Sequence, residues 1–541
     1  MSEQPTLSAD YVVIGSGICG SLVARRLAQQ GASVLILEAG PRIKRDDIFK
    51  AFIDSPRKRD FQAPYPFSPW APHPDFQPVD NGYLVQAGPD PYRAEYLRVV
   101  GGTTWHWSAM AWRMVPNDLK IRSLYGVGVD WPLTYDDLDP FYQEAEEIMG
   151  VAASEAEHPE SPRSKPFPLE PVAEPFAMRR LRERLDPVYK VVGNTQARNS
   201  VPFDGRPACC GRNNCQPLCP IDAQYHGGLS ADAAEDAGAL LTPNAVVYKL
   251  EHDDTGRIVA AHYFDPNKQS FRVTGKTFIL AANGIESPKL LLLSASPKYP
   301  TGLANRSDMV GRNLMDHPST SLDFDAAEEV WLGRGPQSVS SIQTFRDGPE
   351  RSRRSGYRLD FTNISRVLGT TQALITEGVF GAEFDKRLRF SAAHEMSLKN
   401  VPEVLPHPDN RVTLSTQKDF LGIPQPQLHF KIDDYTKAGV AESRLHFERI
   451  AVLMGGTNLR FNDNFSNNQH ICGTVSMGSD PKTSVVDQFG RSHDHENLFM
   501  VGTGVLPTSA TCNSTLSAVA VALRTAQHIL PRPETVARSS S

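Results

Sequence analysis

The sequence predicts a mixed α/β and α+β architecture: a Rossmann-like nucleotide-binding domain interleaved with a domain built on an antiparallel sheet. Three observations support it. The run Tyr11-Val-Val-Ile-Gly-Ser-Gly-Ile-Cys-Gly20 places an apolar strand before a glycine-rich turn and a helical pattern. Residues 276–293 give strand, Ala-Ala-Asn-Gly turn and helix again, far downstream. Between 355 and 435, short runs such as Arg358-Leu-Asp-Phe, Arg411-Val-Thr-Leu and Gln427-Leu-His-Phe-Lys-Ile alternate as strands with one wet face do.

In chain order, residues 11–14 read as a buried strand, 21–30 as a helix and 34–37 as a second strand. Together they form a βαβ unit of about thirty residues. The stretch 40–95 is rich in proline, aromatics and charge without a period, and reads as an extended excursion with little regular structure. A glycine-threonine-tryptophan segment occupies 101–107. Thr134 is placed to cap a helix over 134–149, with acidic residues in its first turn. A Pro/Glu/Ser-rich loop spans 151–175, a helix is expected at 514–530, and Arg538–Ser541 reads as a disordered tail.

A chain of 541 residues is too long for one simple core and calls for two or more domains. The formal charge of −6 excludes a basic nucleic-acid footprint and a polybasic membrane anchor. No run approaches the roughly 18 apolar residues of a membrane span. Met1–Asp10 is polar and lacks the basic start and apolar core of a signal peptide, so the chain is expected to carry no export address of its own. Export bound to a partner stays open.

Gly15, Gly17 and Gly20 each have a physical task. The first permits a tight turn, the second lets backbone approach a pyrophosphate, and the third lets helix pack on strand. The helix N-terminus then faces the phosphates with its partial positive charge. Glu38, closing the second strand, is placed to bind ribose hydroxyls. The motif does not itself separate FAD from NAD; its N-terminal position and the segments downstream of it favour FAD.

Four of the seven cysteines fall within Cys209-Cys-Gly-Arg-Asn-Asn-Cys215-Gln-Pro-Leu-Cys219-Pro. Soft thiolates select iron–sulfur clusters, zinc or copper(I). The Cys-Pro ending favours iron–sulfur, and no second knuckle exists to complete a zinc site. Disulfides are the other alternative. Side chains of adjacent residues diverge, so Cys209, Cys215 and Cys219 form the preferred ligand set; Cys210 is the alternative ligand or is free for a disulfide, for instance to a partner subunit. Cys19, Cys472 and Cys512 stand alone and read as small buried apolar residues.

With these motifs in view, the chain resembles the glucose–methanol–choline (GMC) oxidoreductases. The resemblance adds Gly101-Gly-Thr-Thr, Phe278 to Leu292, Val310-Gly-Arg-Asn-Leu-Met-Asp-His317, His470-Ile-Cys-Gly-Thr-Val-Ser-Met-Gly and Gly502-Thr-Gly-Val-Leu-Pro-Thr-Ser-Ala-Thr-Cys-Asn-Ser514. Within the family it is similar to the catalytic large subunit of membrane-bound bacterial fructose, glucose and gluconate dehydrogenases. The segment Gly101-Gly-Thr-Thr-Trp-His-Trp, Asp204-Gly-Arg-Pro and the cysteine cluster carry that likeness.

The resemblance implies an FAD-dependent enzyme oxidising a hydroxyl of a sugar, polyol or sugar acid. FAD would be bound through Gly15, Gly17, Gly20, Glu38, Gly101, Gly102, Thr103, Thr104, His106, Val246, Ala282, Gly502, Asn513, Ser514 and Thr515. His470 would be the base, its imidazole suited by a pKa near neutrality, and Asn513 would bind the substrate hydroxyl. Gln469 stands where related sugar dehydrogenases usually have Asn and reshapes the substrate pocket. His106 occupies the position at which pyranose oxidases attach FAD covalently; the alternative is a histidine packed beside the flavin.

The resemblance further implies a [3Fe–4S] cluster, a small export-chaperone subunit, a multi-haem cytochrome c subunit and a location at the periplasmic face of the inner membrane. It assigns 8–45, 86–130, 205–320 and 462–535 to the FAD domain, and 46–85, 131–204 and 321–461 to the substrate domain. Two rivals are a soluble oxidase that forms hydrogen peroxide and a non-catalytic electron-transfer or assembly subunit. His493 and His495 read as a solvated loop, His317 as structural near the flavin edge, and His528 carries no assigned role.

Overall fold

The computed structural model describes residues 7–55, 64–74 and 82–530. Strand β1 (Leu7–Ile14) ends in Val12, Val13 and Ile14, all buried. An uninterrupted apolar run of this kind suits a strand covered on both faces. The chain turns at Gly15 into helix α1 (Ile18–Ala28), three residues earlier than the periodicity suggests because Gly17 itself is the cap. Strand β2 (Val34–Leu37) returns parallel to β1, with Tyr11 opposite Val34 and Ile14 opposite Leu37.

Strand β3 (Ser270–Leu280) lies on the other side of β1, also parallel, and leads through Ala281 and Ala282 into helix α2 (Asn283–Leu293). Leu240–Thr242 extends the sheet in parallel beyond β2. Ile258–Phe264 pairs antiparallel with the first half of β3, and Val246–His252 follows it. Leu498–Met500 runs parallel to the second half of β3. The carboxyl ends of β1, β2, β3 and Leu498–Met500 therefore share one edge, where open α/β sheets bind their ligands.

Strands β4 (Tyr357–Thr362) and β5 (Glu395–Pro402) are central in a six-stranded antiparallel sheet. Its order is Thr457–Ser466, Ser319–Asp325, β5, β4, Ser338–Ile342 and Val191–Gly193. One face buries Leu322, Phe324, Leu359, Phe361, Met396 and Leu398 against Phe447 and Ile450 of the helix Asp434–Leu453. The other carries a cross-strand row of Ser321, Lys399, Asp360 and Ser341. Period-two side chains make this division obligatory.

The stretch 355–435 thus yields β4 and β5 as expected but is not all sheet. Helices Val367–Thr376 and Gly381–His394 intervene, and Arg411–Lys418 with Pro424–His429 joins a separate three-stranded sheet through Val85–Gln86. The excursion after residue 40 likewise contains a helix, Arg45–Asp54. Its acidic first turn complements the helix dipole, a signal masked by the surrounding prolines. The helix over 134–149 is Tyr135–Met149, capped by Thr134 as anticipated.

Helix α3 (Thr515–Ile529) is buried along most of its length and packs on α1. Cys19, Cys472 and Cys512 are buried, and burial pushes each thiol up to about 12. The tail Arg538–Ser541 lies outside the described residues, as does Met1–Thr6 of the polar start. Among the described residues, no helix is long and apolar enough to cross a membrane.

Candidate active site

The glycine turn has three distinct environments. A Cβ at Gly15, whose φ is +102°, would stand 2.6 Å from Ala281 O; at Gly20 it would stand 2.1 Å from Gly15 O. At Gly17 it would meet nothing within 4 Å. Two glycines are therefore required by the fold, while the third faces open space at the α1 N-terminus, where a phosphate can approach. Gly17 forms a bridge with Gly101, and a Cβ on Gly102 would come within 3.2 Å of Gly17 Cα.

Glu38 is buried at the end of β2. One carboxylate oxygen accepts from Ser16 N–H (2.9 Å) and Oγ (2.7 Å), the other from Gly40 N–H (3.0 Å). A carboxylate has about four lone-pair sites, so Glu38 keeps acceptor capacity for ribose hydroxyls. Burial pushes its pKa up, opposed by these hydrogen bonds.

The other expected cofactor residues gather at the same edge. Val246 follows Ala245, whose N–H donates to Glu38 O. Ala282 caps α2, Gly502 follows Leu498–Met500, and Ser514 and Thr515 open α3. Thr104 Oγ1 accepts from Gly227 N–H (2.7 Å), and Thr103 Oγ1 from Leu97 N–H (3.2 Å). A cradle of open glycine backbone, a helix N-terminus and a carboxylate with spare acceptors fits an adenine dinucleotide.

His470 and Asn513, 43 residues apart, meet at this edge: Asn513 Nδ2 stands 3.0 Å from His470 Nε2. His470 is held by Asp316, which accepts from the backbone N–H groups of His317 (2.6 Å), Asn468 (3.2 Å), Gln469 (3.1 Å) and His470 (3.1 Å). The His317 ring stands edge-on to His470 at 5.0 Å, with its Nδ1 bonded to Pro402 O (2.8 Å). Burial foremost, then the charges of His317, Arg358 and Lys399, lowers the His470 pKa well below its usual value. The ring is thus held neutral. Gln469 adopts φ +66° and turns its Oε1 to Glu95 N–H (2.8 Å), which fixes the direction of its amide.

Sequence reasoning missed Arg358. It is buried on β4, paired with Asp360 (2.8 and 3.1 Å), and donates to Thr511 O (2.7 Å) and Asn513 Oδ1 (2.7 Å). The available signal was the Arg-Leu-Asp-Phe alternation, which puts Arg358 and Asp360 on one face. That wet face points inward, toward His470.

His106 is buried, and its Nε2 has no hydrogen-bond partner among the described residues. Burial lowers its pKa to about 4, leaving a neutral nitrogen. Its carbonyl accepts from Gln216 Nε2 (2.8 Å), and Tyr65, edge-on to the ring at 5.9 Å, donates to Pro217 O (2.7 Å). The cysteine loop is thereby fastened to the Gly101–His106 segment.

Within that loop Cys215 is buried, Cys209 and Cys219 are half-buried, and Cys210 is exposed. The buried Arg198 donates to Cys215 Sγ (2.9 Å) and acts electrostatically on Cys209 and Cys219 as well. The N–H groups of Ile221 and Gln224 donate to the Cys219 sulfur. Among the described residues, no three His, Cys, Asp or Glu side chains are already drawn into a metal-binding arrangement. The chemistry of the donor set nonetheless fits a thiolate-held cluster: three sulfurs, a buried cation to offset their charge, and N–H donors to sulfur.

The remaining histidines are structural. His495 is buried rather than solvated, because its ring bonds Gly256 O (2.7 Å) and Ala304 N–H (3.1 Å). His493 bonds Ser484 Oγ (2.9 Å), and His528 stacks on Phe489 at 3.9 Å.

Comparison with known proteins adds an independent finding. Profiles described as GMC oxidoreductase match residues 226–319 and 406–522, and one described as an NAD(P)-binding Rossmann-like domain matches 13–44. The chain is 45% identical to the fructose dehydrogenase large subunit of Gluconobacter japonicus, over 97% of this chain and 98% of that one. It is 28% identical to 6'''-hydroxyparomomycin C oxidase of Streptomyces lividus, over 96% and 91%. A formate oxidase from Aspergillus oryzae RIB40 shares the fold, with a TM-score of 0.64, 15% identity and coverage of 97% and 98%.

Proposed function

The chain belongs to the GMC oxidoreductases, FAD-dependent enzymes acting on CH–OH groups, and on that premise we propose that it is a dehydrogenase of a sugar, polyol or sugar acid of the fructose, glucose or gluconate type. The observation that carries the reading is the His470–Asn513 pair, 3.0 Å apart beside the dinucleotide cradle. It lies beneath a sheet face of serine, lysine, aspartate and arginine. That face offers donors and acceptors to a polyhydroxylated molecule.

A substrate hydroxyl enters between the two side chains, donating to His470 Nε2 and accepting from Asn513 Nδ2. His470, kept neutral, takes the hydroxyl proton at Nε2. Asp316 holds the loop so that the ring does not swing, and Asn513 supports the oxygen as charge develops on it. Bound FAD would supply the two-electron acceptor for the hydride leaving the same carbon. His106, buried and neutral, is either its covalent attachment point or a packing partner.

Cys209, Cys215 and Cys219 would hold an iron–sulfur cluster, of the [3Fe–4S] type that the family resemblance implies, and it would supply one-electron transfer toward a multi-haem cytochrome c and quinone. The relative from Gluconobacter japonicus is a large subunit, which supports an assembly with other chains. In this reading these are the cytochrome and a small export-chaperone subunit that carries the protein to the periplasmic face of the inner membrane. The division into an FAD domain and a substrate domain at the expected boundaries belongs to the same proposal.

Aldoses, ketoses, polyols and aldonates assayed with an artificial acceptor test the reading. One class should bleach the flavin absorbance, and His470→Ala should keep flavin while losing about 10²–10⁴-fold in turnover. Full activity in that variant would remove the base assignment. The oxidase of Streptomyces lividus makes a peroxide-forming enzyme the second reading, favoured if peroxide matches substrate consumed.

A further inference from the structure

Asn513 and His470 work as a pair only if the amide faces the right way. An amide carries an acceptor at one end and a donor at the other, and its shape does not choose between them. The neighbours must choose. Arg358 has donors only, and its Nη2 lies 2.7 Å from the amide oxygen of Asn513. A flipped amide would set N–H against N–H across that short gap. With Oδ1 committed to Arg358, Nδ2 is left facing His470 Nε2 at 3.0 Å. Nε2 must then accept, so the ring proton resides on Nδ1.

We propose that Arg358 is the positioning residue that sets the polarity of this pair, fixing Asn513 by its Oδ1 and so keeping the lone pair of His470 on Nε2, the nitrogen that takes the substrate proton. Its activity arm rests on the dehydrogenase reading; its tautomer arm does not.

Arg358 is itself clamped. Asp360 engages its Nε (2.8 Å) and Nη2 (3.1 Å), and Thr511 O, two residues from Asn513, accepts from Nη1 (2.7 Å). Both of its donating edges are occupied, and the guanidinium is buried. A charge-assisted fork of this kind resists rotation more than a single neutral hydrogen bond does. Its cation also disfavours a second positive charge on His470. The other charged or titratable groups facing that ring are His317 from its own turn and Lys399 from β5. Asp316 binds the His470 N–H from below, and Asp360 neutralises Arg358.

The test uses oxidised holoenzyme labelled with ¹⁵N-histidine, read by imidazole nitrogen–proton correlation, with His470→Asn identifying the resonance. The native protein should show His470 protonated at Nδ1 and bare at Nε2. Arg358→Met should give a mixture of tautomers, lower kcat/KM by about tenfold or more, and move its acid limb to higher pH. Arg358→Lys, which keeps a donor, should restore most of the Nδ1 form. A native tautomer in Arg358→Met would overturn the proposal, as would an unmoved acid limb. If that variant does not accumulate, Asp360→Asn is read by its tautomer alone, because it loosens the clamp while leaving the cation in place, and a native tautomer there would likewise overturn the proposal. Failure of every hydroxyl substrate to reduce the native flavin would sink the dehydrogenase reading while leaving the tautomer result intact.

Discussion

Gly17 and Gly20 lie three residues apart and differ in kind. A methyl at Gly20 collides with backbone that has nowhere to go, whereas one at Gly17 enters open space. Gly20→Ala should therefore lower the melting temperature of apoprotein and holoenzyme alike. Gly17→Val should leave the apoprotein stable and weaken FAD binding, checked by flavin retention after dilution and gel filtration. Equal loss of stability in both would contradict the division of labour. The glycine spacing and Glu38 were legible because each sits in a local motif whose chemistry is read along the chain, whereas the roles of His470 and Asn513 came from the family resemblance. Arg358, Asp316 and Lys399 were not, since their roles arise from strand register and from turns that bring 316, 358, 399 and 470 together.

At the scale of elements, the cysteine loop acts as a unit. It hangs from Asn199, whose carbonyl accepts from Cys209 N–H (2.9 Å), and from His106 through Gln216. It also rests on the 333–363 segment, where Asn213 Nδ2 donates to Gly335 O (2.9 Å) and Asn363 O (2.7 Å). Removing Cys215 Sγ takes away the buried sulfur that Arg198 touches. Cys215→Ser should retain flavin and substrate-dependent bleaching but lose iron, acid-labile sulfide and cytochrome c reduction. Cys210→Ser, altering an exposed side chain, should retain all of them. Iron lost equally from both would remove the ligand assignment. The strands around this loop were only partly legible. Short polar-apolar alternation identifies β4 and β5, but the helices Val367–Thr376 and Gly381–His394 between them carry many exposed apolar residues, which blurs the helical period.

Across the whole molecule, the rings of His106, His317 and His470 are held neutral by burial. Burial lowers His106 and His317 to about 4 and takes His470 well below its ordinary 6.5. These rings therefore bind protons more readily in the unfolded chain than in the folded one as pH falls below about 6.5, and their contribution to stability drops through that window. Buried Glu38, Asp118, Asp316 and Glu403, whose pKa burial raises, act in the opposite sense. Each such histidine contributes up to about 1.4 kcal/mol per pH unit while the unfolded form is protonated and the folded form is not. Between pH 6.5 and 5 a His106→Gln variant should lose less melting temperature than the native protein, and parallel profiles would show that this ring is not held neutral. The nucleotide-binding half was determined by the sequence alone, because βαβ units and glycine turns are built from neighbours in the chain. So was the presence of a sulfur-rich loop, while the base role proposed for His470 came from the family resemblance. Only the tertiary structure decided which face of the antiparallel sheet looks inward, and that Arg358 donates to the Asn513 amide oxygen beside His470. Those outcomes depend on pairing between strands dozens to hundreds of residues apart, and a linear pattern of types carries no register between distant strands.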